Sequence, residues 1–294
     1  MDQRIINLYD KFIHGGMSRR EFMDDLARLV GSAAAATALL PILQNDYAKA
    51  EVIPANDPRL NAQTITYDSP KGKVSGYLVR AKGTTKRPAV VVIHENRGLN
   101  PHIPDVARRL AVEGFIVLAP DLLSVSGGTP ANEDEAMALH QKTNREDPTA
   151  MLVEAVAGVS FLKKHAESTG KVGTVGFCFG GGVVNRIATD SGDLDAGVAY
   201  YGAQPPADKV PNIKAPLLLH YAGLDENINK GIAAYEAALK ANNKKYTIHM
   251  YEGAQHAFNN DTNAARYNKA AADLAWGRTL AFFRENLGVP PRVG

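Results

Sequence analysis

The run Ala89-Val-Val-Val-Ile-His94 constrains the fold more than any other feature of the sequence. It is apolar without alternation, so a strand built from it must be covered on both faces, as in a mainly parallel sheet. Residues 115–119, 172–176 and 217–220 repeat this character, and 246–251 supplies one further strand. Helical patterns lie between or after them, at 104–113, 132–142, 149–165, 181–189, 229–242 and 264–287. Ahead of these, residues 63–68 and 73–80 alternate around Ser69-Pro70-Lys71-Gly72, which predicts a β-hairpin. An antiparallel start followed by βα units is an α/β fold, a doubly wound, mainly parallel sheet with helices on both faces. No repeat or second linker interrupts residues 59–294, which we read as one domain.

Charge and cysteine content narrow the function. Lys and Arg total 33 against 31 Asp and Glu, and a net charge of +2 provides no field for nucleic acid. The single cysteine, Cys178, excludes an intramolecular disulfide and a thiolate-rich zinc site, so the core must hold the fold.

Residues 1–58 read as a helical arm or an export-signal-like segment with a linker. Ser18-Arg19-Arg20-Glu21-Phe22, an apolar stretch over 29–43 and Ala48-Lys49-Ala50 together resemble a twin-arginine signal with its cleavage site. That stretch contains Gly31, Ser32, Thr37 and Pro41 and falls short of the ~20 apolar residues that span a bilayer, so no transmembrane helix is expected. Against a removed signal stand the charges of Asp24, Asp25 and Arg28, and the amphipathic pattern of Ile5, Ile6, Leu8, Tyr9, Phe12 and Ile13 upstream. We therefore expect a retained arm of two short helices joined near Gly15-Gly16, packing on the body or on another subunit. The chain is expected to be cytoplasmic and a homo-oligomer such as a dimer; the alternative is periplasmic, through the signal-like residues 18–50.

The chemistry centres on Gly176-Phe-Cys-Phe-Gly180-Gly-Gly182, between a strand and a helix. Its form is that of a nucleophile elbow, in which Gly176 and Gly180 permit a sharp strand-to-helix turn that projects the central side chain. The helix N-terminus behind Cys178 favours the thiolate, which makes it the candidate nucleophile. Downstream, Asp225 follows the strand at 217–220, with Glu226 as its neighbour and competitor, and His256 follows the last strand. Nucleophile, acid and histidine stand in the order this architecture requires, with Asp225 fixing the imidazole tautomer. Seven other histidines, at 14, 94, 102, 140, 165, 220 and 249, lack that position. His94-Glu95-Asn96-Arg97 follows the first buried strand, so the backbone N–H groups of Asn96 and Phe179 are the candidate oxyanion hole. Glu95 could act on the thiol or pair with Arg97 or Arg108. Gly98 stands where a His-Glu-x-x-His motif needs its second ligand, so no metal is indicated, and no cofactor is implied.

Taken together, these motifs resemble the dienelactone hydrolase (carboxymethylenebutenolidase) family over roughly residues 60–288. The resemblance implies an α/β-hydrolase fold, a Cys178–Asp225–His256 triad, and a thiol-activating role for Glu95. It also implies a small-molecule ester or lactone as substrate. Apart from the resemblance, the aromatic residues, Tyr201 and Phe258 among them, either line an apolar substrate cavity or fill the core, and Arg97 is a further candidate substrate contact. Where the family places a carboxylate-binding arginine after the histidine, this chain has Asn260; Arg97 or Arg145 would have to replace it. Two other readings remain, a non-catalytic binding or assembly protein on the same body, and a redox-responsive thiol with no resolving cysteine in the chain.

Overall fold

The structure is a computed structural model that describes residues 1–47 and 51–290; the signal-like Ala48-Lys49-Ala50 lies outside the described residues. An eight-stranded sheet runs in the order β1-β2-β4-β3-β5-β6-β7-β8. The hairpin strands β1 (Leu60–Ser69) and β2 (Gly72–Ala81) pair antiparallel, and β2 joins β4 antiparallel. From there the strands are parallel: β4 (Ile116–Pro120), β3 (Arg87–Ile93), β5 (Ser168–Phe177), β6 (Ala196–Tyr200), β7 (Leu217–Ala222) and β8 (Tyr246–Tyr251).

Every residue of β3 is buried, as its unbroken apolar run demands, and its side chains serve two cores in alternation. Val90 and Val92 join α4 (His102–Val112) and α10 (Lys269–Leu287) on one face. Ala89, Val91 and Ile93 join α6 (Ala150–Lys164), α7 (Phe179–Asp190) and α9 (Ile232–Ala241) on the other. The remaining helices of the body are α5 (Glu133–Glu146) and the single turn α8 (Glu226–Asn229).

Three details depart from expectation. Strand β6 was not foreseen, because Ala-Gly-Val-Ala-Tyr offers little bulk for a pattern to register, although all five residues are buried. Helix α10 starts at Lys269 rather than 264, where the Asn268 side chain accepts from Ala271 N–H and caps it. Likewise Asp225 caps α8 through Ile228 N–H, splitting the expected 229–242 helix from its start.

The N-terminal arm has three helices, not two: α1 (Gln3–Ile13), α2 (Arg19–Val30) and α3 (Ala33–Leu43). The extra break follows from Gly31, which ends α2 in the left-handed region, and Ser32, which caps α3. Ser18 and Glu21 of the twin-arginine-like motif form a capping box that starts α2. The arm builds a third core from Tyr9, Phe12, Ile13, Phe22, Leu26 and Leu43, completed by Met137 of α5. Among the described residues no single helix is long and apolar enough to cross a membrane; α2 and α3 reach that length only as a pair bent by 110°.

The arm is fastened to the body by polar contacts, buried at Asn263 and Arg266 and exposed at Arg19. Arg266 reaches Asp10 at 2.8 Å and lies 5.3 Å over the Tyr9 ring. Asn263 donates to the Leu43 carbonyl at 2.8 Å, and Arg19 pairs with Asp134.

The elbow depends on missing side chains. A Cβ on Gly176 would stand 2.1 Å from the Gly180 carbonyl oxygen, and one on Gly180 2.4 Å from the Ile93 oxygen. Both obstacles are backbone and cannot rotate away. Gly176→Ala should therefore lose about 3 kcal/mol or more of stability, at or beyond the upper end of ordinary overpacking. Urea unfolding monitored by circular dichroism would measure this, and a loss within about 0.5 kcal/mol, the range of an ordinary surface substitution, would contradict the packing described.

Candidate active site

Strand β5 ends at Phe177 and α7 begins at Phe179, leaving Cys178 at the turn with φ 56° and ψ −116°. That sparsely populated conformation costs roughly 1–3 kcal/mol and is sustained only by the close packing around it. It places the sulfur in a cavity of about 470 Å³ while the residue stays only 7% exposed. Asn96, Phe179, Tyr201 and His256 line the same cavity.

His256 sits in the loop after β8, beside Ala257, whose φ of 66° helps turn the chain. Its Nδ1 lies 2.5 Å from Asp225 Oδ2, while the buried Nε2 has no hydrogen-bond partner. Asp225 leaves β7 and is buried, whereas its competitor Glu226 is exposed on α8. One residue earlier or later would thus have turned the acid out to water.

A third side chain joins these, one that the sequence did not single out. His14, directly after α1, places Nε2 3.4 Å from Cys178 Sγ, and its ring meets that of His256 edge-on at 5.0 Å. The sulfur and a nitrogen of each histidine all lie within 4.8 Å of one another. The spacing is also one a metal ion could use, but an imidazole–thiolate ion pair accounts for it unaided. Burial opposes charge on the sulfur, yet the positive charges of His256 and His14 and the hydrogen bond from His14 outweigh it, and the thiol falls to about 6. Correspondingly, desolvation beside the sulfur opposes charge on both imidazoles, His256 buried and His14 exposed, but the Cys178 charge raises them, His256 well above the usual histidine range. Burial also works against the Asp225 carboxylate, and its bond to His256 more than compensates, leaving it below its ordinary value.

The other expected site residues divide. Asn96 and Phe179 meet at the elbow, since the loop after β3 crosses the start of α7 at Gly180. Phe179 is the first residue of α7, so its N–H has no partner within the helix. Tyr201 packs 5.0 Å from the His256 ring and faces the cavity. Phe258 does not line the cavity. It is fully buried among Tyr200, Tyr201 and Tyr251 and belongs to the core.

Arg97 also departs from the role expected of it, because the arm claims it. Its guanidinium donates to Tyr9 Oη at 2.9 Å and lies 3.4 Å from Glu133. Glu95 reaches neither the sulfur nor an arginine as a hydrogen-bond partner. Its Oε2 accepts from Asn260 at 2.9 Å, the residue standing where the family has arginine. Arg108 instead pairs with Asp105 and the Ile53 carbonyl. The cations that do line the cavity are Arg145 and Arg186, and no carboxylate lines it among the described residues. His94 is structural, its ring held between the Glu95 carbonyl and the Leu122 N–H.

Comparison with known proteins identifies the family and the fold. A model described as the dienelactone hydrolase family matches residues 74–287, and a second, described as YqhI-like, matches residues 1–33. A Saccharolobus solfataricus protein, named by assignment as a carboxymethylenebutenolidase, is 32% identical over 75% of this chain and 97% of its own length. "Protein usf" of Aquifex pyrophilus is 35% identical over 76% of this chain and 99% of its own. A crystal structure from Klebsiella pneumoniae, titled as an assigned dienelactone hydrolase, superposes with a TM-score of 0.69 at 27% identity, covering 77% of this chain and 99% of that one.

Proposed function

The chain belongs to the dienelactone hydrolase family of α/β-hydrolases, and on that basis we propose that it hydrolyses a small-molecule ester or lactone with Cys178 as nucleophile. The observation that carries this reading is the sulfur itself, set at a strained elbow between two imidazoles, one of them held at 2.5 Å by a buried carboxylate. Thiolate attacks the carbonyl carbon, and the oxyanion is received by the N–H groups of Phe179 and Asn96. Removing one such donor typically costs ~3 kcal/mol of transition-state stabilisation. The C–O bond to the leaving group then breaks, and the leaving oxygen takes a proton from an imidazolium, which leaves a thioester. Water attacks the thioester as His256, oriented by Asp225, takes its proton, and the released sulfur restores the enzyme.

The cavity supports a substrate of modest size with a polar or anionic end. Its volume of about 470 Å³ is that of a small-molecule site, and Arg145 and Arg186 are the charges it offers besides histidine. In this reading Arg145 takes over the task that Asn260 cannot perform. An open cavity beside the sulfur weighs against a purely assembly role for the fold.

Reaction with p-nitrophenyl acyl esters tests the proposal. We expect a single acyl adduct on Cys178 in quenched intact-protein mass spectra, together with continuing nitrophenolate release. Because the thiol falls to about 6, thiolate forms as the pH rises through that value. The rate should climb through pH 6 and then level, instead of rising on toward the ordinary thiol range. Release with the acyl group elsewhere, or no adduct and no release across esters and simple lactones, would overturn it.

A further inference from the structure

His14 lies outside the segment matched to dienelactone hydrolases, yet it touches the sulfur. Its position is built, not incidental. Helix α1 ends at Ile13, and the His14 ring turns back so that Nδ1 lies 2.7 Å from the Asp10 carbonyl, to which it can only donate. That bond fixes the tautomer, so a neutral His14 presents a lone pair at Nε2 toward the thiol. Once protonated, the same nitrogen donates to the thiolate. The body holds the residues around it: Asn96 donates to the Ile13 carbonyl at 2.6 Å, Arg97 to Tyr9, and Arg266 to Asp10. Thus Asn96 and Arg97, from the loop expected to serve the reaction, anchor the helix that delivers His14.

We propose that the N-terminal arm completes the active site, with His14 as a second catalytic imidazole that takes the Cys178 proton at Nε2 and pairs with the resulting thiolate. The pairing stands on geometry alone; its catalytic use rests on the hydrolase reading above. The S–H bond breaks as an N–H bond forms on His14. When the S–C bond to the acyl carbon has formed and the C–O bond breaks, that proton passes to the leaving oxygen. With the sulfur acylated its charge no longer holds His256 protonated, so His256 sheds that proton to solvent, takes another from the attacking water, and pairs again with the sulfur when it is expelled as thiolate, while His14 regains its proton from solvent; the two imidazoles thus divide what a triad asks of one. The inference requires an arm that stays in place, in keeping with Arg19 of the twin-arginine-like motif being paired with Asp134 of the body and with residues 1–33 matching a family model of their own.

The charged and titratable groups around this pair come from every neighbouring element. Asp10 lies on the arm's own helix, Cys178 on the elbow, and His256 after β8 with Asp225 behind it. His140 and Arg145 of α5 and Arg186 of α7 share the cavity. Burial and the neighbouring histidines push His140 down to about 3, so it stays neutral and does not compete for the proton.

Because Cys178 is the only cysteine, iodoacetamide reports on this thiol alone. The test is the pH dependence of its alkylation in the full chain, for the native protein, His14→Gln and His256→Gln, alongside ester turnover. Glutamine keeps an amide near the sulfur but cannot take a proton. We expect the His14→Gln midpoint to rise by about one pH unit or more as its cationic partner is lost. We further expect its turnover to fall about 10- to 100-fold, with the acid limb moving alongside the alkylation midpoint. A midpoint that superposes on the native one overturns the proposal. Faster alkylation at high pH with an unmoved midpoint also overturns it, since that would describe a mere cover over the thiol. A shifted midpoint in a protein that turns over no ester would keep the imidazole–thiolate pair and remove the hydrolase reading. Normal turnover in His14→Gln with an unmoved midpoint would do the reverse.

Discussion

Cys178→Ala should fold as the native protein does and lose ester turnover by on the order of 10⁵-fold or more, the scale seen when a nucleophile is removed from an otherwise intact hydrolase site. The fold should survive because the one atom lost already borders a cavity, while the close packing that holds the elbow backbone stays in place. The strained backbone is unchanged, as alanine must adopt the same φ of 56° that cysteine does. The cavity-lining residues include no serine, threonine or lysine to take the place of the sulfur, and Tyr201, which brings the hydroxyl of this lining, is fully buried. The acyl adduct should vanish with the turnover, while binding of a substrate-like acid, read by calorimetry, should persist. Cys178→Ser refines the result. A hydroxyl in the same place has no thiolate to pair with two imidazoles, so it should be far slower than cysteine at every pH and lose the plateau above pH 6. Ester turnover by Cys178→Ala within tenfold of native would remove the thiol from the mechanism.

The parts of this site that the sequence discloses are those fixed by local rules. Two glycines around Cys178 are legible because a strand-to-helix turn leaves no room for a Cβ, and the structure shows backbone oxygens where those atoms would go. Asp225 and His256 are legible because the loops at the carboxyl ends of β7 and β8 open onto the same sheet edge as the elbow. Strand β3 announces itself through burial on both faces, whereas β6 passes unnoticed because its small residues give no pattern. Partnerships between distant segments are not legible. His14 and Cys178 are 164 positions apart, and only the docking of α1 brings them together. The available hint was a histidine before Gly15-Gly16 at the end of an amphipathic helix, which fits a helix C-terminus equally well. The same limit explains Arg97 and Glu95. Their chemistry suggested substrate and thiol, but Tyr9 on the arm and Asn260 beyond β8 satisfy them first.

Asp225→Asn isolates the electrostatic part of the site from its architecture and should lower kcat by about 10³- to 10⁴-fold, as loss of the tautomer-fixing acid does in comparable triads. Asparagine retains the oxygen that caps α8 through Ile228 N–H, so the loop should keep its shape, which alanine would not ensure. What changes is the face shown to His256. An amide NH₂ turned toward Nδ1 forces the proton onto Nε2, which then has no lone pair for water; an amide oxygen there preserves the tautomer but carries no charge. In either case the imidazolium loses its counter-ion, so His256 no longer holds Cys178 as firmly in the thiolate form. The alkylation midpoint should therefore move above 6, with His14 limiting the shift. The effect on stability has a definite sign. The Asp225 carboxylate sits below its ordinary value in the folded chain, so its stabilising contribution is present above the unfolded carboxylate range and lost as the pH falls through the folded value. At neutral pH the native protein should thus be more stable than Asp225→Asn, and the two should converge in acid. A kcat within tenfold of native, measured where the variant is folded, would show that His256 is oriented by something other than Asp225 and would leave His14 as the base that matters.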